Sequence, residues 1–65
     1  MIVPFIDSVA GTAVYINPRY VVWMRPDPDD ITDVTVIKLQ DGETIRVRGE
    51  HTDVADKLEH ASVPR

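Results

Sequence analysis

The chain has no cysteine, so no disulfide staples it and no thiolate serves as nucleophile or metal ligand. That absence fits a reducing compartment, and a cytoplasmic setting is expected. Histidine is scarce too: only His51 and His60 occur. On a helix their spacing places them about 180° apart, so they cannot share a metal ion. Long hydrophobic runs are also missing. The apolar stretch near the start is broken by Pro4 and Asp7, with no basic residue ahead of it. Neither a signal peptide nor a membrane span is therefore expected. No glycine-rich phosphate loop is present. Ser8 and Ser62 have no obvious catalytic base, the histidines lying at the far end of the chain, and a chain this short seldom encloses a water-free pocket. These absences point away from an enzyme and imply no metal, no cofactor and no small-molecule substrate.

What remains is a single domain spanning residues 1–65, near the lower size limit for a self-sufficient core. A chain of this length buries only about 60% of the surface it exposes when unfolded. Its apolar fraction of 43% is that of a globular domain and argues against disorder. Eleven acidic residues face seven basic ones, a net charge of -4, which disfavours a nucleic-acid partner. The charge is uneven. Asp27, Asp29, Asp30 and Asp33 crowd one segment, whereas Lys38, Arg46 and Arg48 fall on one face of a strand pair with Thr44. A calcium loop is not indicated by the aspartates, because Pro28 interrupts the spacing and no glycine follows.

The clearest structural signal is the pair of runs Asp33–Leu39 and Glu43–Arg48 around Gln40-Asp41-Gly42. A two-residue loop would set Ile37 opposite Arg46 and mix apolar with charged side chains on both faces. A three-residue loop with Gly42 at positive φ pairs Ile37 with Ile45 and Thr35 with Val47. One face then reads Thr35, Ile37, Leu39, Ile45, Val47. A slip of one residue would exchange the faces, so burial of that set selects the three-residue loop.

Three more strands are expected before it: Ile2 to Val9, with Pro4 implying an edge position, Thr12 to Ile16, and Tyr20 to Arg25. Asn17-Pro18 breaks the second from the third. In the third, Tyr20, Val22 and Met24 would share one face and Val21 and Trp23 the other, implying cover on both sides. Residues 26–32 read as an acidic, mobile loop. Val54, Leu58 and Ala61, with His51 and Ala55 beside them, form a helical stripe across residues 50–61. Asp53 near its start, His60 near its end and an Asp53–Lys57 pair support that helix, and residues 62–65 read as a frayed tail. The fold class is mainly β, a β-rich α+β domain: a small antiparallel sheet of about five strands with one short C-terminal helix.

One ten-residue helix covers one face of a few strands and leaves the other open. Tyr20, Trp23 and Met24 are the expected apolar anchors of an interface there, with Arg46 and Arg48 as polar contacts. The expected function is that of a non-enzymatic interaction or accessory module acting through protein–protein contacts, as a homo-oligomer. The alternatives are a nucleic-acid-binding regulator using the Arg46/Arg48 face, and an acidic decoy that occupies a nucleic-acid-binding protein through the aspartates of residues 27–33.

The order of motifs resembles the small flagellar FlbD-like proteins. The features that carry the likeness are Gly11, Val14-Tyr15-Ile16-Asn17, Val21 to Met24, Pro28-Asp29, Val36 to Gly42, Ile45-Arg46-Val47, and Val54 to Leu58. The chain departs from that pattern in lacking a lysine-rich hairpin and a serine helix cap, and in carrying Trp23 where a polar residue is expected. The resemblance implies a fold and an association with motility gene clusters, and no chemistry. The strand–hairpin–helix ending is also similar, over a shorter stretch, to the DNA-binding domain of LytTR response regulators.

Overall fold

Five strands and one helix follow each other along the chain: β1 (Val3–Ile6), β2 (Ala13–Ile16), a 3-10 turn (Pro18–Tyr20), β3 (Val21–Asp27), β4 (Asp30–Leu39), β5 (Thr44–Arg48) and α1 (His51–Ser62). This computed structural model describes the backbone of residues 2–62 and the side chains of residues 2–60. The stripe position Ala61 is therefore described by its backbone alone, and the tail expected at residues 62–65 lies, beyond Ser62, outside the described residues. Among the described residues no helix is long and apolar enough to cross a membrane.

The hairpin register is the one that burial demands. Ile37 pairs with Ile45 and Thr35 with Val47, while the Leu39 amide donates to the Glu43 carbonyl at 2.8 Å. Gly42 closes the three-residue loop at φ 91°, and its amide donates to the Leu39 carbonyl. Ile37, Val47 and Thr35 are fully buried as a result. Each fully buried aliphatic side chain contributes about 1.5–3 kcal/mol, so the slipped register, which exposes them, cannot compete.

The β-rich expectation holds, but the strands divide between two antiparallel sheets, β1-β2 and β3-β4-β5. Contact between the sheets along β1 and β5 is limited to one bridge, Asp7 to Val47, and a hydrogen bond from the Ser8 amide to the Arg46 carbonyl. The chain turns away there. The Asp7 carboxylate accepts the amides of Val9 and Ala10, and those two backbone hydrogen bonds hold its pKa below the usual carboxylate value. With the turn closed, β1 doubles back against β2 instead of running on beside β5. Pro4 fits this short pairing, which leaves both strands with a free edge.

The divided sheet wraps one core. Val3 and Phe5 from β1, Ile16 from β2, Ile37 and Val47 from the hairpin and Val54 and Leu58 from α1 meet there, with Val21 and Met24 packed beside them. The helix entrance is fixed by β4. The amide of Gly49 donates to the Asp33 carbonyl at 2.6 Å, and the buried Thr35 hydroxyl donates to the Gly49 carbonyl at 2.9 Å. The expected Asp53–Lys57 contact is replaced by another: the Lys57 ammonium lies over the Phe5 ring, 5.9 Å from its centroid.

Two expectations are corrected by β3. Residues 26–32 are no irregular loop, because β3 runs to Asp27 and β4 starts at Asp30, leaving only Pro28-Asp29 as the turn. The Asp27 carboxylate accepts the Asp29 amide at 2.9 Å and so stabilises that turn. The faces of β3 also differ from simple alternation. Val21 pairs with Leu39 but Trp23 pairs with Lys38, so Val22 is an extra residue in a β-bulge. Val21 and Met24 consequently share the core side, and Trp23 and Arg25 share the outer side. The expected grouping of Tyr20, Val22 and Met24 on one face, with Val21 and Trp23 on the other, is therefore replaced by this bulged arrangement.

Gly42 has open space where a Cβ would be placed, whereas a Cβ on Gly49 would meet Val54 Cγ2 at 3.2 Å. Both have positive φ. Gly42→Ala is expected to cost about 1 kcal/mol from backbone strain alone, and Gly49→Ala more than that. Urea denaturation of the two variants checks the order; equal losses would remove the packing contribution at Gly49.

Candidate interaction face

The side of the three-stranded sheet facing away from α1 is built by cross-strand rows. Trp23, Lys38 and Thr44 form one row; Arg25, Val36 and Arg46 form the next; Val34 and Arg48 form the third. Cross-strand partners share a face, so Arg25, Lys38, Arg46 and Arg48, four of the seven cations of the chain, lie on this side with the single tryptophan. Trp23 is 39% exposed and Val22 beside it 56%. The Arg25 guanidinium stacks on the indole, 5.0 Å from the ring centroid, a contact worth about 0.5–1 kcal/mol at an exposed site. Val36 is only 6% exposed although it faces outward, because its two neighbours in the row are arginines. The stems of long cationic side chains cover apolar surface in this way while the charges stay in water.

Arg46 is bound within the chain. Its Nε donates to Asp27 Oδ2 at 2.9 Å, and the guanidinium reaches Asp29 Oδ2 at 3.5 Å. Asp27 is 3% exposed, and this partner and the amide hydrogen bond offset the cost of burying its polar group. The acidic turn and the basic face are therefore one unit. Its aspartates are occupied further along as well: Asp30 accepts from the Asp33 amide and the Thr32 hydroxyl.

The five residues singled out from the sequence separate into three places. Trp23, Arg46 and Arg48 lie on the outer face. Met24 lies on the core side, packed against the buried cluster, since the bulge rotates it away from Trp23. Tyr20 is 57% exposed in the 3-10 turn, where with Leu39, Gln40 and Asp41 it lines an open hollow of about 360 Å³ at the hairpin end of the sheet. Arg48 stands at the seam between the sheets, where it shares a cleft of about 170 Å³ with Pro4, Ile6 and Lys57. Arg25 was not identified from the sequence as part of the face. The signal available for it was the run Val21-Val22-Trp23-Met24, which breaks alternation just before it.

The histidines are apart in the structure. His51 is half buried, with an Nδ1 that has no hydrogen-bond partner, and His60 is exposed with its Nδ1 near the Asp56 carbonyl at 2.8 Å. No group of three or more His, Cys, Asp or Glu side chains placed to hold a metal occurs among the described residues. Comparison with protein-family models, curated proteins and solved structures finds no match for this chain.

Because Asp27 is buried and Arg46 is its cationic partner, Arg46→Ala is expected to destabilise the fold by about 1–3 kcal/mol, discounted from fully buried pairs because the arginine side chain is 46% exposed. Arg48→Ala, at the exposed seam, is expected to stay within about 0.5 kcal/mol. Chemical denaturation of both variants measures the difference. A silent Arg46→Ala would mean that the Asp27 pairing adds nothing.

Proposed function

We propose that this chain is a small, non-enzymatic interaction module, acting through protein–protein contacts on the outer face of its three-stranded sheet and self-associating there. The observation that supports the reading is the tryptophan left in the open. The single helix covers the inner side of the sheet, and Trp23 and Val22 stay accessible on the other, flanked by Arg25 and Lys38. An aromatic residue bordered by arginine has the composition of an interface centre, where such side chains carry much of the binding energy. Tyr20 and Arg48 extend the contact at its margins, and Arg46 serves it by holding the acidic turn in place. The likeness to FlbD-like proteins, which implies no chemistry, is compatible with this reading.

Trp23→Ala tests it. The indole contacts Arg25 and lies outside the core cluster but is only 39% exposed, so its removal is expected to cost about 1–3 kcal/mol of stability without unfolding the chain, while weakening association at least about tenfold. Sedimentation and thermal melting of the same samples report both quantities. A variant that simply melts, with no independent loss of association, would place Trp23 among the structural residues and end the proposal for it.

One observation favours a second reading. Arg25 adds a fourth cation to the Arg46/Arg48 face, and an aromatic among cations on an open antiparallel sheet is an arrangement on which unpaired bases stack. Arg46 is committed to Asp27 and Asp29, however, which leaves fewer charges for phosphates. This reading requires a single-stranded oligonucleotide to bind at low salt, with affinity falling steeply as salt rises. Unchanged mobility at the lowest salt removes it.

A further inference from the structure

We infer that the partner of the Trp23 face is a second copy of this chain, which docks the solvent side of its helix there, head to tail. The inference rests on the interaction-module reading and names the partner. Its basis is the separation of charge across the fold. Four of the seven cations gather on the outer face of the sheet, whereas the stretch from Glu50 to His60 carries Glu50, Asp53, Asp56 and Glu59 against one lysine.

Helical geometry sets the direction of those acids. Val54 and Leu58 face the core. At 100° per residue, Asp53 and Asp56 fall on the opposite side of the helix, and both are exposed. α1 packs on the inner side of the sheet, so its acidic ridge and the basic face point in opposite directions, and among the described residues neither Asp53 nor Asp56 forms an ion pair with a cation of that face. Asp56 has His60 nearby, Nδ1 to Oδ1 at 3.2 Å, which leaves the ridge acidic when that histidine is neutral.

The same geometry decides the symmetry. A two-fold dimer through the sheet would set this basic face against the same basic face of the other copy, and like charges opposed in an interface are costly. A head-to-tail contact sets Asp53 and Asp56 against Arg25 and Lys38 instead. Such a contact is heterologous, so each copy keeps one unused face of each kind, and assembly continues until a ring closes or a filament grows. Trp23 and Val22 supply the apolar centre that exposed ion pairs alone lack.

The test uses two charge-reversal variants of the full chain. One carries Arg25→Glu with Lys38→Glu and keeps an intact ridge; the other carries Asp53→Lys with Asp56→Lys and keeps an intact face. Wild type is expected to gain mass with concentration at low salt and to weaken at least about tenfold when the Debye length shrinks from about 30 Å to about 3 Å. Each variant alone is expected to be monomeric, because its face and its ridge then carry the same sign, and their equimolar mixture to assemble again, because both the native and the reversed pair of surfaces are complementary. The emission of Trp23, the only tryptophan, follows docking directly. If circular dichroism shows that a reversal variant does not fold, Arg25→Gln with Lys38→Gln, and Asp53→Asn with Asp56→Asn, replace them.

A mixture that stays monomeric, or single variants that assemble like wild type, overturns the head-to-tail contact. Monomeric wild type whose Trp23 emission still responds to a polyglutamate peptide overturns the second copy as partner and leaves the interaction face standing. Monomeric wild type with no response to that peptide overturns both.

Discussion

One extra residue in β3 determines what this protein shows to its surroundings. Without the bulge at Val22, strict alternation from Val21 would put Trp23 on the core side and Met24 on the outer side. With it, Val21 and Met24 both join the core, and Trp23 and Arg25 both face outward. The exchange suits each environment. A flexible thioether fills an irregular interior, while an indole and a guanidinium stack where water reaches them. The exposed face is thus the counterpart of a well-filled core, and neither arrangement exists without the other.

The second constraint is polar. A small core leaves little energy to spare, yet two polar side chains, Asp27 and Thr35, are buried in it. Each is bonded to a point where the chain changes direction. Thr35 ties the start of α1 to β4 through Gly49, and Asp27 closes the β3–β4 turn while holding Arg46. Burial strengthens these bonds and makes their loss costly. They give a short chain fixed corners that its few apolar contacts do not provide.

Much of this was legible from residue order because the signals were local. The loop Gln40-Asp41-Gly42, together with burial of the Thr35, Ile37, Leu39, Ile45 and Val47 face, specified the β4–β5 register, and Val54 with Leu58 specified the buried side of the helix. Which β3 side chains share a face was not legible, because period alone does not reveal a bulge. The aspartates of residues 27–33 looked like a solvated loop because composition does not reveal a partner seventeen residues away: Arg46 lies at that distance from Asp29. The division into two sheets depended on the turn at Asp7, where side-chain capping stops β1 from continuing beside β5. Nonlocal pairing and local bond competition were what the sequence pattern left open.

The way the edges are finished limits how this molecule meets another. Exposed strand edges invite further strands, and β3 presents the longer free edge here. Its bulge breaks the ladder near one end, and Pro26 removes a donor near the other. β2 is four residues long, with Asn17-Pro18 directly after it. Neither of these two edges offers the continuous row of donors and acceptors that strand addition requires, and the β1 and β5 edges are bridged to each other at Asp7 and Val47. The faces carry no such obstruction: apolar and cationic groups stand open on the sheet, and acids line the far side of the helix. The association proposed for this chain is accordingly one of side chains meeting side chains, which would make it sensitive to salt and to single charges in a way that backbone pairing is not.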